Sequence, residues 1–370
     1  MRKPQNDLPP GRKTPAAAAH PVLSLVPGCG ALPLRRRRGP ASPRLSQTGR
    51  ATAQPGDSMK AWTAPAVDKS RRWRQSPDKL EIACLGTTLT WTDYEADDGV
   101  GGIATAPFGT FAPNAWQRAL IAAARGSFLH RGTFRRTMFR LIQGGAKNPV
   151  DIAFRDCAFR LHGQDNLIEY GILLHPAYNS RDIDFLLEGA SGGDSFVDIG
   201  SNIGLYSLPM ARRAGAGGKV VAIDANTQVC RQLAFNARAS GLANVQVFAE
   251  GVSDHETRAR LRRRNDDIAI VSIQEDDAGG IPVRRLASIL DEAGVERIHG
   301  LKIDIEGHED KALVPFFDTE PESRWPSRIV IETAGNGEDY PGCAAAFARC
   351  GYELAGRTRQ NSLYRLKTRA

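Results

Sequence analysis

The stretch that decides the fold reads Phe196-Val197-Asp198-Ile199-Gly200-Ser201-Asn202-Ile203-Gly204. Its apolar run predicts a buried strand, its glycines predict a turn, and the residues from Ile203 onward predict a helix. A turn of this kind at the carboxyl end of a strand lets a ligand approach backbone N–H groups closely. The stretch therefore predicts the first strand–helix unit of a ligand-binding α/β domain.

The rest of the C-terminal half continues this alternation of strand and helix. In order, the pattern predicts strand 195–199, helix 203–213, strand 219–223, helix 227–240, strand 245–248, an irregular charged stretch 257–275, helix 286–293, strand 301–305, helix 309–316, strand 329–332, helix 343–350, and strands 352–355 and 362–366. Such alternation requires a parallel sheet with helices on both faces. The last two strands are too close in sequence for a crossover helix, which favours an antiparallel hairpin. We therefore expect an α/β fold with a mostly parallel, seven-stranded sheet and an antiparallel C-terminal hairpin.

Ahead of this domain, which we place at 181–370, a shorter segment spans 81–180. The apolar spacing of Trp116, Leu120, Ile121, Ala124 and Phe128 predicts an amphipathic helix, and a second helix follows at 133–143. Alternating residues at 150–154 and 157–161 predict a short hairpin. No firm assignment follows for 80–114.

Residues 1–80 have the composition of a basic tail. They contain sixteen Lys or Arg against four Asp or Glu, so +12 of charge lies there and the other 290 residues carry −4 of the total of +8. The segment has no helical or strand period, and it offers too little apolar surface to offset its ordering entropy. Three interpretations stay open: a disordered tail, an untranslated extension with Met59 as the start, or an Arg-rich transit peptide. Because the excess charge is outside the folded domain, a nucleic-acid substrate is disfavoured.

The spacing of the cysteines and the hydropathy bear on the thiols and on membrane insertion. The six cysteines are scattered, with neither a C-x-x-C pair nor zinc spacing, and we expect reduced and mostly buried thiols. No stretch approaches the roughly 18 apolar residues of a membrane span. We predict a cytoplasmic protein and no membrane insertion, whereas its oligomeric state is not readable from the sequence.

The turn differs from a dinucleotide-binding motif in one informative way. Its pattern is Asp198-x-Gly200-x-Asn202-x-Gly204 rather than G-x-G-x-x-G. A carboxylate at the strand end suits a ligand with an ammonium and a sulfonium better than a pyrophosphate, whose charge it would repel. Asp198, Gly200, Asn202 and Gly204 are thus candidate cofactor-binding residues, and the alternative is a tight turn without a ligand.

Further candidates follow the second and third strands. Asp224 ends the second strand, where its carboxylate could accept hydrogen bonds from the hydroxyls of a ribose, although a helix cap is the alternative. In Glu250-Gly251-Val252-Ser253-Asp254, Val252 could pack on an adenine ring and Asp254 could accept from its amino group. An ordinary Gly-Ser-Asp turn explains the last segment equally well.

Two acids follow the fourth strand, in Leu301-Lys302-Ile303-Asp304-Ile305-Glu306-Gly307-His308-Glu309. While the strand lasts, Asp304 and Glu306 would point to one face. We expect them to act as the catalytic pair, either as a general base on a hydroxyl or by orienting the substrate and the cofactor. A divalent cation is conceivable with His308 nearby, but we commit to no metal site. We expect Glu309 to be an ordinary acid in the first turn of a helix. The arginine run 258–264 could meet a phosphate or an acidic sugar, but a solvated charged strand is the favoured interpretation.

Together these segments resemble the FkbM family of S-adenosylmethionine-dependent methyltransferases. The likeness lies in 196–207, in Val252-Ser253-Asp254, in 301–309 and in Ile329-Val330-Ile331-Glu332, with a similar lead-in at 166–169 and 175–176. It covers about 148–370. Family members commonly have Glu-Pro where this chain has Asp224-Ala225, and the shorter acid can still reach a ribose.

The resemblance implies a class I, Rossmann-like fold with S-adenosyl-L-methionine as cofactor. It also implies methylation of a hydroxyl on a small molecule, such as a sugar, a glycan or a secondary metabolite. Two alternatives stay open: a nicotinamide-dependent oxidoreductase, which should prefer a third glycine to Asn202, and a cofactor-binding module without catalysis, which has no need of Asp304 and Glu306.

Overall fold

The computed structural model describes residues 82–84, 87–89, 106–144, 148–163, 166–263 and 271–367. The predicted basic tail lies outside these residues, as does Met59. Elements before the main domain are β1 (Ile82–Cys84), β2 (Thr87–Leu89), α1 (Ala115–Arg125), α2 (Phe134–Gln143), β3 (Val150–Phe154), β4 (Cys157–Leu161), α3 (Leu167–Leu174) and α4 (Ser180–Leu187).

The main domain follows. Its elements are β5 (Ser195–Ile199), α5 (Ser207–Ala214), β6 (Lys219–Ile223), α6 (Thr227–Ala239), β7 (Val245–Phe248), β8 (Gly251–Val252), β9 (Thr257–Arg263), β10 (Val271–Glu275), β11 (Ile281–Arg284), α7 (Leu286–Glu292), β12 (Gly300–Ile303), α8 (Glu309–Thr319), β13 (Arg328–Glu332), α9 (Pro341–Arg349), β14 (Tyr352–Arg357) and β15 (Asn361–Leu366). Short 3-10 turns lie at Phe128–His130 and Glu322–Arg324.

The predicted helices and hairpin before the main domain are confirmed. Helix α1 begins at a capping box, in which Gln117 N–H donates to the Asn114 side chain and Asn114 N–H donates to that of Gln117, each at 2.9 Å. Phe128, which was expected at the end of this helix, lies instead in the 3-10 turn, because the helix ends at Gly126.

The main sheet has the order β14-β15-β13-β12-β5-β6-β7-β1-β2. Its central pairs are parallel, whereas β15 runs antiparallel to both β13 and β14, so the predicted parallel sheet with its C-terminal hairpin is confirmed. The expected count of seven strands is wrong, because β1 and β2 extend the sheet beyond β7 to nine strands. From β5 the chain proceeds to β6 and β7 on one side and then returns to β12 on the other. The crevice between β5 and β12 is thus the topological switch point at which ligands of open α/β sheets bind.

Helices cover both faces of the sheet, as predicted, because side chains along each central strand alternate between two cores. In β5, Phe196 joins the core that includes α5 and α6, and Val197 joins the core that includes α8 and α9. Both side chains are fully buried. Burial on both faces explains why these strands are nearly continuous apolar runs in sequence.

The stretch 257–275 was expected to be irregular, and this expectation is wrong. Strands β9 and β10 belong to a second sheet with the order β10-β9-β11-β8. In β9 the buried Ala259 lies between Arg258 and the exposed Arg260, which is the alternation of a strand with one solvated face. The favoured interpretation of a solvated charged strand is confirmed for Arg260, which is 64% exposed and pairs with Asp276 at 2.8 Å, whereas Arg258 is half-buried and donates to the carbonyl of Gly279.

Outside the two apolar cores, one buried ion pair ties β3 to β4. The Arg160 guanidinium binds both carboxylate oxygens of Asp151, at 2.8 and 3.0 Å, and both side chains are 1% exposed. The four cysteines whose side chains are described are free and buried, as expected. Within the described parts of the chain, no helix combines the length and the apolar character that crossing a membrane requires.

Candidate functional site

A cavity of about 1130 Å³ lies at the carboxyl ends of the central strands. The turn after β5, the residues that follow β6, β7 and β12, and the last residue of β13 all contribute to its wall. Of the sequence-predicted site residues, those that line it are Gly200, Asn202, Asp224, Val252, Asp304 and Glu306. Asp198, Gly204 and Asp254 do not line it. The structure thus brings six of the nine candidates into one cavity.

Gly200 is required by contact as well as by conformation. Its φ of +76° is in the region that favours glycine, and a Cβ on it would lie 1.9 Å from the carbonyl oxygen of Asp304. The turn after β5 therefore packs closely against Asp304, the residue that follows β12. This contact places the predicted cofactor turn and the predicted catalytic acids on the same wall.

A hydrogen bond joins Asn202, in the turn after β5, to Asp224, the residue that follows β6. Asn202 has a positive φ of 46° and donates its backbone N–H to one carboxylate oxygen of Asp224 at 2.9 Å. The other oxygen of Asp224 accepts from Asn226 N–H at 2.9 Å. Burial raises the pKa of Asp224 to about 6, although these two amide hydrogen bonds oppose the rise. Each oxygen keeps a lone pair, so Asp224 can still accept from ligand hydroxyls.

Helix α5 begins at Ser207, four residues later than predicted, because residues 202–206 form a succession of turns. This delay leaves Ser201 at the cavity wall. The Ser201 side chain is 3% exposed, and its hydroxyl has no hydrogen-bond partner among the described residues. A buried hydroxyl without a partner is costly unless a ligand or water satisfies it, so Ser201 belongs with the candidate ligand-binding residues.

Asp198 lies behind the cavity wall, with its side chain fully buried. It accepts a hydrogen bond from Ser207 at 2.5 Å, and the Lys302 ammonium lies 3.6 Å from its other oxygen. Lys302 in turn donates to the carbonyl of Gly200 at 2.6 Å. Asp198 therefore acts on the turn through Lys302, and the geometry gives it no direct contact with a ligand.

The sequence analysis assigned no role to Lys302, although a lysine within an apolar strand is an unusual signal. Its side chain is 5% exposed and also lies 3.9 Å from Asp304. Burial alone would lower the pKa of Lys302, but Asp198, Asp304 and Asp224 outweigh it and raise the pKa. Lys302 is thus a buried cation that links β5 to the acids beyond β12.

Asp304 and Glu306 meet, but a turn rather than a strand brings them together. Strand β12 ends at Ile303, two residues earlier than predicted, and Glu306 has a positive φ of 56°. The buried Glu309 side chain holds this turn by accepting from the N–H groups of Ile305 and Gly307, at 2.8 and 2.9 Å. Glu309 is the first residue of α8, as expected, and it also supports the predicted catalytic acids.

A third carboxyl group joins this pair. Glu332, at the end of β13, has a carboxylate oxygen within 4.8 Å of oxygens of Asp304 and Glu306. Burial and the neighbouring Asp304 raise the pKa of Glu332 to about 9, so the pair of carboxyl groups keeps one proton at neutral pH. The same spacing would allow the three carboxyl groups to hold a divalent cation. The sequence analysis quoted Glu332 only as part of the family resemblance and gave it no role.

Of the two candidates for adenine binding, Val252 lines the cavity and Asp254 does not. Val252 is 2% exposed and lines the cavity. The Asp254 side chain is 45% exposed and accepts a hydrogen bond from His255, whose ring nitrogen lies 2.7 Å away. That hydrogen bond lowers the pKa of Asp254. Glu250 lines the cavity instead, and its carboxylate faces Arg284 at 3.4 Å.

Comparisons with known proteins agree with the motif-based resemblance. Residues 198–354 match the sequence model of the family described as Methyltransferase FkbM domain. The resemblance inferred from the motifs is thus confirmed over these residues. A search of curated proteins found no match.

Several solved methyltransferase structures are similar at low identity. A TYW2 protein from M. jannaschii, crystallised with AdoMet, has 14% identity and a TM-score of 0.35, over 60% of this chain and 89% of the other. An O-methyltransferase from Bacillus cereus in complex with SAH has 14% identity and a TM-score of 0.31, over 50% and 78%. An rRNA methylase from Streptococcus thermophilus has 14% and 0.31, over 50% and 95%. Scores this low carry no argument about function.

Proposed function

We propose that this protein, whose residues 198–354 form an FkbM-type methyltransferase domain, transfers a methyl group from S-adenosyl-L-methionine to a hydroxyl of a small molecule or glycan. One observation carries the proposal: the Gly200 turn and the acids after β12 share a single cavity wall. A cofactor held by the turn would lie beside the carboxyl groups that could receive the proton of an acceptor. We also propose that the methyltransferase domain begins at residue 181.

The cavity residues fit such a cofactor by their chemistry. Asp224 offers carboxylate oxygens to ribose hydroxyls, Val252 offers an apolar surface to adenine, and the unpartnered Ser201 hydroxyl offers a polar contact at the turn. Asp198 and Lys302 would act indirectly, by keeping the turn in its conformation. Gly204 and Asp254 remain proposed as residues that support the cofactor-binding segments without lining the cavity.

The carboxyl cluster would accept the proton of the acceptor hydroxyl. When bound, S-adenosyl-L-methionine would supply a sulfonium methyl group, whose carbon the acceptor oxygen attacks in line as the C–S bond breaks and S-adenosylhomocysteine leaves. Asp304 or Glu306 takes the proton of the hydroxyl as the new O–C bond forms. At neutral pH one proton stays on the pair of Glu332 and Asp304, so Glu332 would orient Asp304 rather than act as the base. Most of the rate enhancement would come from holding the oxygen and the methyl group in line.

Thermal unfolding of the full chain tests the cofactor. S-adenosylhomocysteine at 100 times its dissociation constant should stabilise the protein by about 2.7 kcal/mol. For a domain of this size, that corresponds to an increase in Tm of roughly 5–10 °C. The increase should be absent with NAD and lost in Asp224→Ala. An increase with NAD alone would instead support a nicotinamide-dependent enzyme, and no increase with either ligand would contradict cofactor binding.

A further inference from the structure

Acidic and basic side chains both line the cavity, and Asp182 follows Arg181 directly in its wall. Its carboxyl cluster, Asp304, Glu306 and Glu332, lies at the ends of sheet strands. Elsewhere the wall carries four arginines contributed by three separate parts of the chain. They are Arg131 and Arg135 around the start of α2, Arg181 in α4, and Arg359 in the turn between β14 and β15.

Three of these arginines, Arg131, Arg181 and Arg359, are exposed. On the surface, Arg349 pairs with Asp318, Arg357 with Asp339 and Arg260 with Asp276. None of the four cavity arginines forms an ion pair within the described ranges. Arg135 is half-buried, so its charge is partly removed from water without compensation. Such an arrangement favours binding of an anion from outside the chain.

Two of the arginines, Arg135 and Arg359, and one acid of the cluster, Asp304, line the cavity together with Tyr178. Tyr178 packs so closely over Gly171 that a Cβ there would lie 2.4 Å from its ring, which fixes the position of the phenol. Burial raises the pKa of Tyr178, Arg135 and Arg359 lower it, and Asp304 raises it again. The fields of two cavity arginines and of a predicted catalytic acid therefore overlap at this hydroxyl.

We propose that Arg135, Arg181 and Arg359 form an anion-binding subsite, so that the methyl acceptor is a hydroxylated molecule that carries a carboxylate or a phosphate group. The inference rests on the proposed function. Guanidinium groups bind both kinds of anion through paired, charge-assisted hydrogen bonds. The carboxyl cluster repels the anion, so an acidic acceptor is oriented with its charge at the arginines and a hydroxyl at Asp304.

Isothermal titration calorimetry on the full chain tests the subsite. The probes are glucuronate, glucose 1-phosphate and the neutral methyl glucoside, each titrated at low salt with and without S-adenosylhomocysteine. At least one anionic probe should bind about tenfold or more tightly than the neutral one. The double variant Arg135→Gln, Arg359→Gln should abolish this preference. Arg140→Gln is the matched control, because Arg140 is an exposed arginine of the same helix that does not line the cavity.

The outcomes separate the subsite from the cofactor. If neither anionic probe is preferred, or if the double variant keeps the preference, the subsite is refuted even when S-adenosylhomocysteine binds. Arginine-dependent anion binding without S-adenosylhomocysteine binding would uphold the subsite and contradict the methyltransferase. Circular dichroism confirms that the variants are folded, and Arg181→Gln replaces the double variant if that one is not. Which anionic probe binds distinguishes a carboxylate from a phosphate acceptor.

Discussion

Replacing Glu332 by Gln tests whether the carboxyl cluster holds a proton at neutral pH. The pKa of this group rises from 4.5 to about 9 on folding, through burial and the neighbouring Asp304. Since the two groups are coupled, the proton belongs to the pair. The folded state binds this proton more tightly than the unfolded state. The associated stability is therefore complete below about pH 4.5 and is lost as the pH rises through about 9.

The magnitude follows from linkage. Each pH unit between the two pKa values costs up to about 1.4 kcal/mol, so the wild type should lose up to about 4 kcal/mol between pH 5 and pH 8 from this pair. Glutamine has nearly the same size, can still donate a hydrogen bond to Asp304, and does not titrate. The difference in the free energy of unfolding, variant minus wild type, should therefore grow with pH over this interval.

Urea denaturation at several pH values measures this difference. Glu353→Gln, at an exposed position in β14, is the matched control, and its difference from the wild type should stay constant with pH. If Glu332→Gln also shows a constant difference between pH 5 and pH 8, the group is ionised at neutral pH and the reasoning about the cluster is refuted.

Three further outcomes are expected. Gly200→Ala should lower the free energy of unfolding by more than about 4 kcal/mol, since its Cβ would meet the Asp304 carbonyl at 1.9 Å. Gly193→Ala, with a φ of +98° and no atom within 4 Å of the added Cβ, should cost only about 1 kcal/mol, and equal losses in urea denaturation would contradict the clash. Asp151→Asn should cost about 3–5 kcal/mol in the same assay because Arg160 loses its buried carboxylate, whereas a loss below about 1 kcal/mol would show that the pair is not needed. EDTA should leave S-adenosylhomocysteine binding and methyl transfer unchanged, because one carboxyl of the cluster keeps its proton, and inhibition reversed by Mg²⁺ would assign the cluster to a cation.

Local patterns predicted most of the fold because the central strands are buried on both faces. Such strands are apolar runs in sequence, as in Phe196 to Ile199, and β5, β6, β12 and β13 are each followed by a helix with its own period. Strands β9 and β10 were missed for the opposite reason: they belong to a separate sheet, and four of the seven residues of β9 are arginines. Strands β1 and β2 carry only three residues each, too few to show a period.

By itself the sequence determined which residues follow the central strands. Strands of a parallel sheet all end at one edge, so Gly200, Asp224 and Asp304 had to lie at that edge once the strands were recognised. Tertiary structure decided which of the other residues join them. Glu332 reaches the acids because β13 pairs with β12, more than twenty residues away in sequence, and the distant Arg135 and Arg359 meet the cavity through packing alone. A sequence pattern describes neighbours along the chain, whereas the charge of a site depends on groups that only folding brings within a few ångströms of one another.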